Sequence, residues 1–104
     1  MDLQLKGKTA VITGGTVGIG LAAAEGLARE GVHVVICARS RAEVHNQAKR
    51  ISVAHDVKAI GVEADVTDPA GIERIAAAVK TEFGGLDILI NNAGTGSNET
   101  IMDA

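Results

Sequence analysis

Lys8-Thr9-Ala10-Val11-Ile12-Thr13 runs straight into Gly14-Gly15-Thr16-Val17-Gly18-Ile19-Gly20, and this stretch decides the fold. The first six residues are β-branched and apolar, the pattern of a short strand buried on both faces. Closely spaced glycines then break the strand. From Gly18 to Glu30 the period changes to that of a helix: Ile19, Ala22, Ala23, Gly26 and Leu27 fall at i, i+3, i+4, i+7 and i+8. Gly31 suits the left-handed residue that closes such a helix.

The alternation continues downstream. His33–Ala38 reads as a second strand. Ser40 and Glu43 fit a capping box, in which each residue satisfies a backbone N–H of the other's turn, and Val44, Ala48 and Ile51 mark one face of the helix that follows. Val57–Glu63 reads as a third strand. Asp68-Pro69 is a helix start, with Asp as N-cap and Pro at the first helical position. Ile72, Ile75, Ala76, Val79 and Phe83 form that helix's apolar stripe, ended by Gly84-Gly85. Leu86–Asn91 is a fourth strand, and Asn92-Ala93-Gly94-Thr95-Gly96 a loop. Buried strands joined by helical crossovers form a parallel sheet. The expected fold is therefore α/β: a Rossmann-like, doubly wound parallel sheet of four strands in the order 3-2-1-4. Two helices should cover one face and one the other. A ligand belongs at the switch point between strands 1 and 4, beyond their carboxyl ends. Ser97–Ala104 reads as the opening of another helix, with Ile101 and Met102 as its first apolar pair. Strand 4 would then be a bare edge. Residues 1–104 are thus expected to form a single half-domain that is cut short, and to cover its exposed surface with a C-terminal half or by self-association.

Composition excludes several functions. The chain has 104 residues, 46% of them hydrophobic, which is enough for one modest core. It has one Phe and no Trp or Tyr, so no base-stacking platform for single-stranded nucleic acid can be assembled. Ten basic residues are scattered among thirteen acidic ones, for a net charge of −3, which leaves no basic face for a phosphate backbone. The first residues do not read as a signal peptide, and no apolar run approaches the ~20 residues of a membrane span. One cysteine allows no internal disulfide and fits a reducing, cytoplasmic setting. No metal-ligand cluster is evident.

The glycine loop is where chemistry is expected. Gly14 permits a tight turn, Gly18 a close approach of backbone to a pyrophosphate, and Gly20 close packing of helix on strand. The helix N-terminus adds unpaired N–H groups and a positive dipole end. No Gly-Lys-Ser/Thr follows, so this is not a P-loop of the Walker type. Gly18-x-Gly20-x-x-Ala23 also satisfies the looser dinucleotide fingerprint. Domains selective for NAD place a carboxylate at the end of strand 2, on the ribose 2′-hydroxyl. Here Cys37-Ala38-Arg39-Ser40-Arg41 has none before Glu43. Arg39 could grip a 2′-phosphate bidentately. The expected cofactor is NADP rather than NAD. Ser40 reads equally as phosphate contact or helix cap, and Arg39 and Arg41 also fit an ordinary solvated loop. Val17 counts slightly against NADP, since a basic residue there would also have supported it.

Taken together, Thr13-Gly14-x-x-x-Gly18-x-Gly20, Asp65-Val66 after strand 3 and Asn91-Asn92-Ala93-Gly94 after strand 4 resemble the short-chain dehydrogenase/reductase family, whose N-terminal half they would cover. The resemblance implies an oxidoreductase moving a hydride between a nicotinamide cofactor and a carbonyl/alcohol pair. It implies that Gly14, Thr16, Gly18, Gly20 and the Ile19 backbone hold the pyrophosphate and adjoining ribose. Asp65 and Val66 would contact the adenine, and Asn91, Ala93 and Gly94 would support strand 4 and line the nicotinamide-side ribose. Ala38 stands where NAD-dependent members carry Asp. The family's catalytic Ser and Tyr-x-x-x-Lys have no counterpart in these residues, so no catalytic residue is assigned and the chain alone is expected to be inactive. His33, His45, His55, Cys37, Asp87, Thr95 and Ser97 offer no substitute. Asp65 also fits a strand-end turn, and Asn91-Asn92 a loop-bonding pair. A non-catalytic dinucleotide-binding module and an interaction protein remain as alternatives.

Overall fold

In the computed structural model, which describes residues 5–14, 18–92 and 100–103, a strand-helix alternation builds one five-stranded sheet. The elements are β1 (Thr9–Thr13), α1 (Gly18–Arg29), β2 (His33–Ala38), α2 (Arg41–His55), β3 (Ala59–Glu63), α3 (Pro69–Phe83), β4 (Ile88–Asn91) and β5 (Thr100–Asp103). The sheet order is β3-β2-β1-β4-β5. Its first four strands are parallel, in the expected order. β5 corrects the expectation of a helix near the end: it runs antiparallel to β4, pairing Ile88 with Asp103 and Asn91 with Thr100. β4 is therefore not a bare edge. Its outer N–H and C=O groups gain partners that a helix could not supply.

Side-chain alternation along the strands creates two cores. Ala10, Ile12, Val34, Ile36, Ile88 and Ile90 point to the face covered by α1 and α2, where they meet Ala24, Ala28, Ala48 and Ile51. Val11, Val35, Cys37 and Val62 point the other way, onto Ile75 and Val79 of α3. Two helices cover one face and one the other, as expected. An apolar trough of about 580 Å³ remains beside α3, lined by Val11, Ile72, Val79 and Leu89 among others.

Two helix faces depart from the sequence pattern. The buried row of α1 is Gly20, Ala24 and Ala28, while Ile19 is 71% exposed and Ala22 is exposed. A helix this rich in small residues leaves its apolar phase ambiguous, and close approach to β1 selects the smallest side chains. On α3, Gly71, Ile75 and Val79 are buried, whereas Ile72 and Ala76 are exposed along the trough.

The caps follow the residues. Asp68 accepts the Ala70 N–H at 3.0 Å, with Pro69 opening α3. Gly84, at φ +81°, ends α3 by donating its N–H to the carbonyls of Lys80 and Val79. Ser40 accepts the Glu43 N–H at 3.4 Å. The reciprocal bond from the Ser40 N–H to the Glu43 carboxylate is not made, so the expected capping box is only half formed.

An exposed clasp joins α1 to α2: Arg50 donates to Glu25 at 2.7 Å, and His55 Nε2 lies 3.7 Å from the same carboxylate oxygen. The Arg50 hydrogen bond holds the Glu25 carboxyl below its ordinary value. A lowered carboxyl pKa stabilises the fold above the unfolded-state value and loses that contribution as pH falls through the folded one. Both side chains are partly solvated, so screening keeps the effect small. Arg50→Ala is expected to cost under about 1 kcal/mol near neutral pH in urea unfolding. The difference from the unsubstituted protein should vanish once the pH is well below the ordinary Glu range.

Candidate functional site

The carboxyl ends of β1 and β4 are tied together by side chains. Thr13 Oγ1 donates to Asn91 Oδ1 at 2.8 Å and accepts the Asn92 N–H at 3.0 Å. Above this floor, Gly14 (φ +67°) turns the chain away from β1, with its N–H on the Cys37 carbonyl at 2.8 Å. Gly18 (φ +57°) starts α1 in a conformation that a side chain disfavours. A Cβ on Gly20 would overlap the Gly14 carbonyl oxygen and lie 2.8 Å from the Asn92 amide nitrogen. The first turn of α1 thus presses onto the ends of β1 and β4 at the switch point, and its leading N–H groups have no helical acceptor.

A cavity of about 530 Å³ opens beside this corner, at the ends of β2 and β3. Gly14, Cys37, Ala38, Arg39, Ser40, Glu43, Ala64, Asp65, Val66 and Thr67 line it. Its size suits part of a nucleotide. Arg39 and Ser40 are exposed on one wall, at the start of α2. On the other wall Asp65 accepts both the N–H and the hydroxyl of Thr67, at 2.9 and 2.6 Å. The Thr67 bonds, helped by the positive charge of Arg39, hold the Asp65 carboxyl below the usual Asp value. Asp65 is therefore a turn residue and a cavity residue at once.

The Cys37 thiol lies at the cavity floor, 1% exposed, and burial pushes its pKa up to about 12. It is held as the thiol and is a poor nucleophile. The three histidines lie away from this corner. His33 accepts the Lys58 N–H at 2.9 Å and stacks on Phe83, His55 sits beside Glu25, and His45 is exposed on α2. Asp87 accepts the Thr9 N–H at the opposite end of the sheet. Among the described residues no cluster of His, Cys, Asp and Glu could hold a metal.

The structure thus gathers Gly14, Gly18, Ile19, Gly20, Arg39, Ser40, Asp65, Val66 and Asn91 along one edge of the sheet. Thr16, Ala93 and Gly94 lie outside the described residues, as do Thr95 and Ser97. Three further contributors do not stand out in the sequence. Thr67 clamps Asp65, and an Asp-x-Thr spacing is the signal that could have marked such a turn. Gly71 brings α3 against the Asp65 backbone, where a Cβ would overlap the carbonyl oxygen; nothing in its helical context marks it. Glu43 carries the pattern of a cap and no other signal.

The family model described as short chain dehydrogenase matches residues 8–104. The chain belongs to the short-chain dehydrogenase family. Over 100 residues it is 40% identical to the 3-oxoacyl-(acyl-carrier-protein) reductase of Escherichia coli, covering 96% of this chain and 39% of that protein. It is 44% identical over 91 residues to galactitol 2-dehydrogenase of Agrobacterium fabrum, covering 88% of this chain and 34% of that protein. The crystal structure of L-sorbose reductase from Gluconobacter frateurii, complexed with NADPH and L-sorbose, superposes with a TM-score of 0.89 at 50% identity, over all of this chain and 40% of that one. A Pseudomonas aeruginosa RhlG/NADP complex matches with a TM-score of 0.76 at 44% identity, over 88% of this chain and 36% of that one. The chain thus spans 34–40% of the length of these relatives.

Proposed function

We propose that these residues are the dinucleotide-binding part of an NADP(H)-dependent oxidoreductase acting on a carbonyl/alcohol pair. The observation that carries the cofactor preference is the cavity wall at the end of β2: Arg39 and Ser40 face it, and Ala38 stands where a ribose-binding carboxylate would. The close approach of Gly20 to Gly14 supports a pyrophosphate seat at the α1 N-terminus, since only a backbone free of side chains leaves that corner open. Asp65 and Val66 would bound the adenine, and Asn91, with Thr13 behind it, would support the nicotinamide side. Thr16, Ala93 and Gly94 complete this assignment. Two relatives solved with NADPH or NADP support it further.

When bound, the nicotinamide supplies or accepts the hydride. None of the described residues at this site is suited to move the accompanying proton: the Cys37 thiol is buried and its pKa raised, and the histidines lie elsewhere. Substrate chemistry is therefore assigned to further protein, and the apolar trough beside α3 is a surface such protein, or a second copy, could cover. A cytoplasmic location suits the single buried thiol. No helix among the described residues is long and apolar enough to cross a membrane.

Calorimetric titration tests the cofactor. NADPH is expected to bind at least tenfold more tightly than NADH, since a charged hydrogen bond contributes about 1.5–3 kcal/mol. Equal affinities would overturn the preference, and no binding of either would overturn the reading as a whole.

A further inference from the structure

The nucleotide cavity holds one group that the assigned roles leave unused. Glu43 lies on its rim, on the first turn of α2, beside Ser40 and on the same wall as Arg39. Sequence pattern makes it half of a capping box. In the structure only its backbone N–H serves the cap, on Ser40 Oγ at 3.4 Å. Its carboxylate has no hydrogen-bond or ion-pair partner among the described residues, and the side chain is exposed. The positive groups that could neutralise it are committed elsewhere or solvated: Arg50, two turns further along α2, is paired with Glu25, and Arg41 is exposed on the same turn. Arg39 also faces the Asp65 carboxylate across the cavity. The phosphate seat is therefore not simply basic. One guanidinium stands among two carboxylates.

We propose that Glu43 is a specificity-determining residue that tempers the preference for a 2′-phosphate. This rests on the dinucleotide reading above. A fixed negative charge on the rim repels a dianionic phosphate at Arg39 and Ser40. It leaves a ribose carrying only its 2′-hydroxyl almost untouched. The unfavourable charge limits how tightly NADPH is held and so narrows the gap to NADH. This differs from a carboxylate at position 38, which would bond the hydroxyl directly. Glu43 acts across the rim by charge alone.

Glu43→Gln removes the charge at nearly constant side-chain size and leaves the cap intact, because the cap uses only the backbone N–H of residue 43. The Gln variant is expected to bind NADPH about three- to tenfold more tightly in low salt, with NADH changed less than about twofold. The gain should shrink as ionic strength rises and the screening length shortens to a few ångströms. Adenosine 2′-phosphate, used as a probe, should gain by the same factor as NADPH, whereas adenosine 5′-phosphate should not. Glu43→Ala should reproduce the NADPH gain, since it removes the same charge and keeps the backbone N–H that serves the cap. Equal gains for both dinucleotides, no gain, or a loss with Gln would each overturn the proposal while leaving the dinucleotide reading intact. Failure of the unsubstituted protein to bind either dinucleotide would overturn both.

Discussion

Alanine at position 20 is expected to lower stability by about 2 kcal/mol and to abolish measurable dinucleotide binding, although Gly→Ala within a helix usually stabilises. The new methyl would overlap the Gly14 carbonyl oxygen, lie 2.9 Å from the Gly14 carbonyl carbon and 2.8 Å from the Asn92 amide nitrogen. Two of the three obstacles are backbone, pinned by the bond from the Gly14 N–H to the Cys37 carbonyl. They cannot rotate away as a side chain would. Relief requires α1 to lift from β1, which loosens the packing of Ala24 and Ala28 against Ile12 and tilts the leading N–H groups away from the phosphate seat. For a chain of this length the cost corresponds to a melting point about 8–16 °C lower. Gly26→Ala is the internal control: nothing lies within 4 Å of its added Cβ. It should raise stability by about 0.5–1 kcal/mol through the helix propensity of alanine. Thermal unfolding of the two variants side by side checks the argument. A Gly20→Ala protein that melts with the parent would show that the helix-strand contact is not tight.

Gly20 and Gly26 also divide what is legible in the sequence from what is not. The motif glycines announce a strand-turn-helix corner, and the strand order follows from crossover geometry, because both depend on short-range patterns with few physical solutions. The phase of α1 is not legible, since Ala22, Ala23 and Ala24 are equally small and only the approach to β1 chooses among them. β5 is hidden for a different reason. Thr100-Ile101-Met102-Asp103 is too short for periodicity to separate strand from helix, and its pairing depends on the outer edge of β4. At the site, Arg39 is visible as a residue type at a meaningful offset. The cooperation of Thr67 and Gly71 in presenting Asp65 is not, because it arises where α3 folds back on the end of β3. Glu43 is the sharpest case: a correct local signal for a cap conceals a carboxylate on the rim of the ligand cavity.

The second large effect is expected at the end of β2. Arg39→Ala should weaken NADPH binding about 10- to 100-fold and leave NADH within about twofold, since the lost contact is a charged hydrogen bond to the 2′-phosphate alone. Ala38→Asp should go further. Ala38 is half-buried, pairs in register with Glu63, and lends its carbonyl to the Ala64 N–H at 2.9 Å. The substitution therefore alters the cavity wall without touching the sheet ladder. An Asp there adds a third carboxylate to a space already holding Asp65 and Glu43, so a dianionic phosphate meets net repulsion even with Arg39 present. The same carboxylate can accept the 2′-hydroxyl of NAD(H). Combining Ala38→Asp with Arg39→Ala should invert the preference, with NADH bound more tightly than NADPH in calorimetry at low salt. The two substitutions touch one phosphate and should not be additive. A double variant that still favours NADPH would place the 2′-phosphate elsewhere than on this wall.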